Sequence, residues 1–217
     1  MPLQGIKGNR PQKVGGRGPQ THNQTRKGGI KIRAFIAIRI PGEILKELEG
    51  IQSILDRGWR GISWVKTASI HLTLKFLGET DPAKVDEISN ALEAASKGIP
   101  PFGVKVSGLG AFPNMRNPRV LWVGIGENDA LKRLAANIEE AIVPLGFERE
   151  DRPFTPHLTL CRVKSPADGR DLGRTAAEAD ISIDKSFTAS EFHLIKSILN
   201  PKGAEYTDIK TIRLKQP

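Results

Sequence analysis

Residues 69–79 read Ser-Ile-His-Leu-Thr-Leu-Lys-Phe-Leu-Gly-Glu, and residues 154–162 read Phe-Thr-Pro-His-Leu-Thr-Leu-Cys-Arg. Both contain His-Leu-Thr-Leu, at 71–74 and at 157–160, 86 residues apart. In a strand the side chains at i and i+2 point the same way. His71 and Thr73 therefore share one face, with Leu72 and Leu74 on the other. His157 and Thr159 are set against Leu158 and Leu160 in the same way. Each motif strand is half core and half polar. A lone His-x-Thr carries little information. Two copies that agree at four consecutive positions, and that use two of only four histidines, point to a duplicated module.

Outward from the motifs the same alphabet recurs. Ile32, Ala34, Ile36, Ile38 and Ile40 alternate as a strand that ends at Pro41. Helical spacing of Ile44, Leu45, Leu48, Ile51, Ile54 and Leu55 predicts a helix over 42–57. Strands follow at Ile62–Val65 and Ile70–Leu77, then a helix over 81–97 opened by Asp81-Pro82. The second half offers strands at 102–107 and 119–125, a helix over 127–145, the second motif strand at 156–163 and a helix over 167–178. Two strands, at 187–198 and 205–214, close the chain. The sum is an α+β fold: bilobal duplicated βα modules with antiparallel sheets facing a central cleft and helices outside. The domain runs from 31 to 217. Residues 1–30, rich in Gly, Pro, Gln, Asn and basic residues, read as a disordered basic tail.

A formal net charge of +9 invites a nucleic-acid reading, but its distribution weakens that argument. Residues 1–33 hold eight Lys or Arg and no acid, whereas residues 34–217 hold 25 basic residues against 24 acids. The folded part is nearly neutral, so charge does not name its partner. No apolar run approaches the roughly 18 residues that span a bilayer, and no apolar segment marks a secretory signal. The single cysteine, Cys161, excludes an internal disulfide and fits a reducing cytoplasm.

Two imidazoles and two hydroxyls in one cleft suit phosphodiester chemistry. Such a reaction needs a base for the attacking oxygen and an acid for the departing one, and imidazole does both near neutral pH. Thr73 and Thr159 are suited to donate to non-bridging phosphate oxygens. Two histidines would also suit zinc or iron. However, alternation sets Thr73 and Lys75 beside one histidine and Thr159 and Cys161 beside the other, with no acid among them. The residues therefore favour catalysis without metal or cofactor, and Cys161 reads as a small buried thiol. A binding module without turnover is the competing class. It would need the threonines and cations but not two titrating groups. His22 lies in the tail, and His193 lies in an alternating strand as a structural residue.

These motifs resemble the 2H phosphoesterase superfamily, and within it the RNA 2′,3′-cyclic phosphodiesterase group, the bacterial and archaeal 2′-5′ RNA ligases. The resemblance covers about residues 31–217. It also rests on Arg33-Ala-Phe-Ile-Ala-Ile, Gly110-Ala-Phe-Pro and Pro118-Arg-Val-Leu-Trp-Val-Gly. It implies hydrolysis of RNA 2′,3′-cyclic phosphate ends to 2′-phosphomonoesters, and in some relatives reversible 2′-5′ joining of tRNA halves. By the same resemblance, His71 is the proton donor to the leaving 3′ oxygen and His157 the base. Thr73 and Thr159 hold the phosphate, and Arg162 neutralises its charge. Strict alternation puts Arg162 on the face opposite His157, so this role requires a twist or a bulge. The first copy has Phe76 at that slot. Phe112, in the Gly-Ala-Phe-Pro loop, is suited either to stack on a base or to join the core. RNA is the implied partner, with no membrane, and a self-contained pseudosymmetric site suits a monomer.

Overall fold

The computed structural model describes residues 31–200 and 203–215. The expected tail at 1–30 and His22 lie outside them. The elements are β1 (Ile32–Arg39), α1 (Gly42–Leu55), β2 (Ile62–Trp64), β3 (His71–Thr80), α2 (Val85–Ala95), β4 (Phe102–Phe112) and β5 (Val120–Ile125). They continue with α3 (Asp129–Ile142), β6 (His157–Val163), α4 (Pro166–Glu178), β7 (Asp184–Ala189), β8 (Glu191–Asn200) and β9 (Gly203–Arg213).

Two of the helices, α3 and α4, begin at side-chain caps. Asn128 accepts a hydrogen bond from the Leu131 amide at 2.9 Å, and Ser165 accepts one from the Asp168 amide at 3.3 Å. Asp81-Pro82 opens a short 3₁₀ turn at Pro82–Lys84, and α2 follows it directly. Each helix buries one stripe. In α1 it is Ile44, Leu48, Ile51 and Leu55, and in α3 it is Leu131, Leu134, Ala135, Ile138 and Ile142. These stripes close over Leu72, Leu74, Leu158 and Leu160 on one face of the sheet.

The α+β duplication forms as the sequence indicates, with its two halves joined edge to edge. All paired strands are antiparallel, in the order β7-β4-β5-β6-β3-β1-β8-β9, with β2 also beside β6. The order is a palindrome about the β6–β3 seam: β1 and β5 flank the two motif strands, and β8 and β4 lie outside them. The β1-α1-β3-α2 unit is repeated as β5-α3-β6-α4.

The strand expected at 187–198 is two strands. Ser190 alone separates β7 from β8, yet β7 pairs with β4 and β8 with β1, in opposite halves. The sheet must therefore curl until its far strands nearly meet. No Gly or Pro marks the change, because the chain stays extended and only its neighbours differ. β4 also runs past 107 to Phe112, which places Phe112 on a strand and not in a loop.

Candidate active site

The two motif strands meet at the seam. Leu72 pairs with Leu158, and both are fully buried. An antiparallel register centred there sets His71 across from Thr159 and Thr73 across from His157. The two histidines are then diagonal neighbours, typically about 7–8 Å apart with their Cβ atoms somewhat closer. That spacing leaves room for one phosphate between the rings.

Both rings are held by the same device. His71 Nδ1 lies 2.8 Å from the Ser69 carbonyl oxygen, and His157 Nδ1 lies 2.7 Å from the Thr155 carbonyl oxygen. A carbonyl only accepts, so Nδ1 carries the proton in each neutral ring and Nε2 is the basic nitrogen. In each case the carbonyl belongs to the residue two positions before the histidine. Sequence reasoning did not anticipate this lock.

Aromatic rings then wall each imidazole. His71 lies against Phe35 at 4.6 Å and meets Tyr206 edge-on at 5.3 Å. His157 meets Phe112 edge-on at 5.1 Å and Trp122 at 6.0 Å. Trp122 faces the site because it pairs with Thr159, and its ring fills the space over Gly110, where a Cβ would lie 2.1 Å from it. The signal for Trp122 and Tyr206 is strand pairing, which lies outside the reach of motif spacing.

A bulge in each motif strand re-aims the residue three positions after the threonine. In the β1–β3 ladder Ile36 pairs with Lys75 and Ala37 with Thr73, so Leu74 is the extra residue. In the β5–β6 ladder Leu121 pairs with Cys161 and Trp122 with Thr159, so Leu160 is extra. Both strands consequently bury two residues in a row, and alternation resumes in the opposite phase. Arg162 thus comes to the histidine face, as its expected role requires. Phe76, its counterpart, comes there too and is 63% exposed.

The same bulges correct the neighbours assigned by strict alternation. Lys75 does not face the cleft. It is buried, and its ammonium donates to both Glu139 carboxylate oxygens, at 2.9 and 2.8 Å, and to the Glu148 carbonyl at 2.9 Å. Cys161 is fully buried, and burial pushes its thiol up to about 12, which makes it an inert group. Among the described residues no cluster of His, Cys, Asp or Glu could hold a metal. On the α1 side, Gln52 donates to the Leu160 carbonyl at 2.9 Å and to the Val65 carbonyl at 2.8 Å. Gln52 and Glu139 are each the eleventh residue of a fourteen-residue helix, so both halves secure their bulges from the same position.

Burial depresses His71 to about 4, aided by the positive charges of Arg39 and Arg162, while donation to Ser69 opposes the fall. Burial also lowers His157, with Arg162 adding to the shift. His193 is buried in β8, with Nδ1 3.1 Å from Thr211 Oγ1 and with Asp208 and Glu191 nearby.

A duplicated, curled antiparallel sheet carrying two oriented imidazoles at its seam defines a two-histidine phosphoesterase. The family described as LigT like Phosphoesterase matches twice, over residues 38–122 and 123–206, and the chain belongs to it. The RNA 2′,3′-cyclic phosphodiesterase of Methanothermobacter thermautotrophicus is 32% identical over 185 residues, 85% of this chain and all of that one. That of Methanocaldococcus jannaschii is 36% identical over 180 residues, 82% and 99% of the two chains. Among solved structures, a Thermus thermophilus protein superposes with a TM-score of 0.73 at 28% identity, covering 85% of this chain and 99% of that one. Escherichia coli LigT complexed with 3′-AMP superposes with a TM-score of 0.70 at 26% identity, covering 86% and 100%.

Proposed function

We propose that this enzyme hydrolyses 2′,3′-cyclic phosphate ends of RNA to 2′-phosphomonoesters without a metal. The observation that carries the reading is the pair of imidazoles on adjacent strands, each locked through Nδ1 so that Nε2 is free for proton transfer. His157 Nε2 takes a proton from water, which attacks phosphorus opposite the 3′ oxygen. The bond from phosphorus to the 3′ oxygen breaks as His71 Nε2–H gives that oxygen its proton. Thr73 and Thr159 donate to the non-bridging oxygens, and Arg162 offsets the charge that builds there. His71 is neutral in the free protein at neutral pH, so it acts as the acid only once the anionic phosphate raises its pKa. Phe112, edge-on to His157, offers a ring on which the terminal base stacks.

RNA ends, those of tRNA halves among them, are the partner this reading names. The site is complete within one chain, which supports a monomer. Among the described residues no helix is long and apolar enough to cross a membrane. The reading assigns the protein to the cytoplasm.

The test is an end-labelled oligonucleotide carrying a 2′,3′-cyclic phosphate, incubated in EDTA with the products resolved. The expected product is the 2′-phosphate. Replacing His71 or His157 by Ala should lower the rate at least about 10²-fold. Full activity in both variants would overturn the assignment. A cyclic end bound but intact after hours would make the protein a binding module instead.

A further inference from the structure

The two halves match in backbone but not in what they place around the histidines. Arg39 pairs with His71 across β1 and β3, so the two side chains share a face. The residue that pairs with His157 in the same way is Gly124. A Cβ there would lie 2.8 Å from the Ser107 carbonyl oxygen, so no larger side chain fits without a backbone shift. The arginine therefore serves only the His71 end.

A trough opens beside it, with a volume of about 390 Å³, lined by Arg39, Lys66, Ser69, Glu205 and Tyr206 among others. That volume lies at the lower end of the range small ligands occupy, about 300–1,000 Å³. The trough adjoins the catalytic ring directly. Ser69 supplies the carbonyl that locks His71, and Tyr206 stands 5.3 Å from that ring. Asp208 holds Arg39 at 2.5 Å and so fixes one edge of the guanidinium. Lys66 is exposed and makes no ion pair among the described residues. Arg162 also acts on His71 and Tyr206. Arg39, Lys66 and Arg162 thus outnumber Asp208 and Glu205 at the His71 end, while Phe112 and Trp122 make the His157 end aromatic.

We propose that this trough is a phosphate subsite: Arg39, Lys66 and Tyr206 hold the phosphodiester on the 5′ side of the terminal nucleotide, so that the enzyme selects cyclic ends of chains over free cyclic nucleotides. The proposal rests on the reading above, with His71 as the acid. In a 2′,3′-cyclic nucleotide the 3′ carbon leads to the 4′ carbon and the 5′ phosphate, and the 2′ carbon leads to the base. With the 3′ oxygen at His71, the 5′ phosphate projects to the cationic end and the base to the aromatic end. Charge and stereochemistry therefore agree on one direction for the chain.

The test compares kcat/KM for adenosine 2′,3′-cyclic phosphate with that for the same nucleotide carrying a 5′ methyl-phosphate diester. The wild type should favour the diester roughly tenfold, the size of one charge-assisted hydrogen bond. Lys66→Met should bring the ratio toward one, as should raised salt. Equal rates in the wild type, or a preference that Lys66→Met leaves intact, would overturn the subsite while the hydrolase reading stands. Turnover of neither compound would overturn the hydrolase reading, and the subsite with it.

Discussion

Lys75 separates the bulged strand from the regular one. Regular alternation would put it in the cleft beside His71 and Thr73. The bulge at Leu74 puts it in the core, with all three ammonium protons given to Glu139 and Glu148. Lys75→Met keeps the stem packed and removes the charge. Glu139 would then keep only the Glu150 amide, at 3.0 Å, with its side chain 18% exposed. Breaking a buried pair by removing one partner typically costs about 3–5 kcal/mol. The residual exposure and the retained amide argue for the lower end, about 3 kcal/mol. For a domain of this size each kcal/mol moves Tm by about 2–4 °C, so the loss is roughly 6–12 °C. Thermal unfolding followed by circular dichroism measures it. Cyclic-phosphate hydrolysis at 25 °C, on the folded variant, should stay within about threefold of wild type. The double variant Lys75→Met, Glu139→Leu should recover much of the lost stability, because no uncompensated charge remains. An unchanged Tm with a hundredfold slower reaction would place Lys75 in the cleft and refute the bulge.

Other predictions follow from the same geometry. The pH profile of kcat/KM reports the free enzyme, where both motif histidines sit below their usual value of 6.5. Its maximum should therefore lie below pH 6.5, with kcat peaking at higher pH because bound phosphate raises His71. A kcat/KM maximum above pH 7.5 would contradict this. His71 also carries a stability signature: its folded pKa of about 4 lies below the unfolded 6.5, so the unfolded chain binds a proton the folded one refuses. Stability should fall as pH drops from 6.5 through 4, by about 3 kcal/mol from this group alone. His71→Phe should flatten that part of a urea-denaturation series. Gly110→Ala should push Trp122 off its seat and with it the wall of His157, lowering both Tm and kcat. An unchanged kcat would show that Trp122 does not position that ring.

The motif strands, the leucines beneath them and the four helices were legible because period-2 and period-3.6 patterns are local. Asp81-Pro82 was legible for the same reason. What escaped was set by pairing across the sheet. Ser190 separates two strands only because their partners lie in different halves, and no residue at 187–198 records that. Tyr206 and Trp122 line the site because of what they pair beside. The Leu74 and Leu160 bulges shift the phase of the alternation, yet a buried Leu-Lys or Leu-Cys pair looks like any other dipeptide. Arg162 was the one residue whose expected role conflicted with simple alternation, a conflict that called for a twist or a bulge, and the ladder contains the bulge.

The duplication explains how the histidines are oriented, but not why the two should do different things. Identical locks on Ser69 and Thr155 give two equivalent bases. Hydrolysis needs one donor and one acceptor, so the difference has to come from positions where the two copies do not match. Three departures supply it, all tied to the shared backbone. Arg39 stands where the other half has Gly124, Arg162 stands where it has Phe76, and Trp122 stands where it has Ala37. The antiparallel seam brings Arg39 and Arg162, which lie on different halves in sequence, to the same histidine. Burial and their charge together keep His71 deprotonated in the free protein, and the same charge draws the phosphate toward it. In the proposed mechanism the bound anion cancels the field of the two arginines, and His71 gains its proton with the substrate already in place.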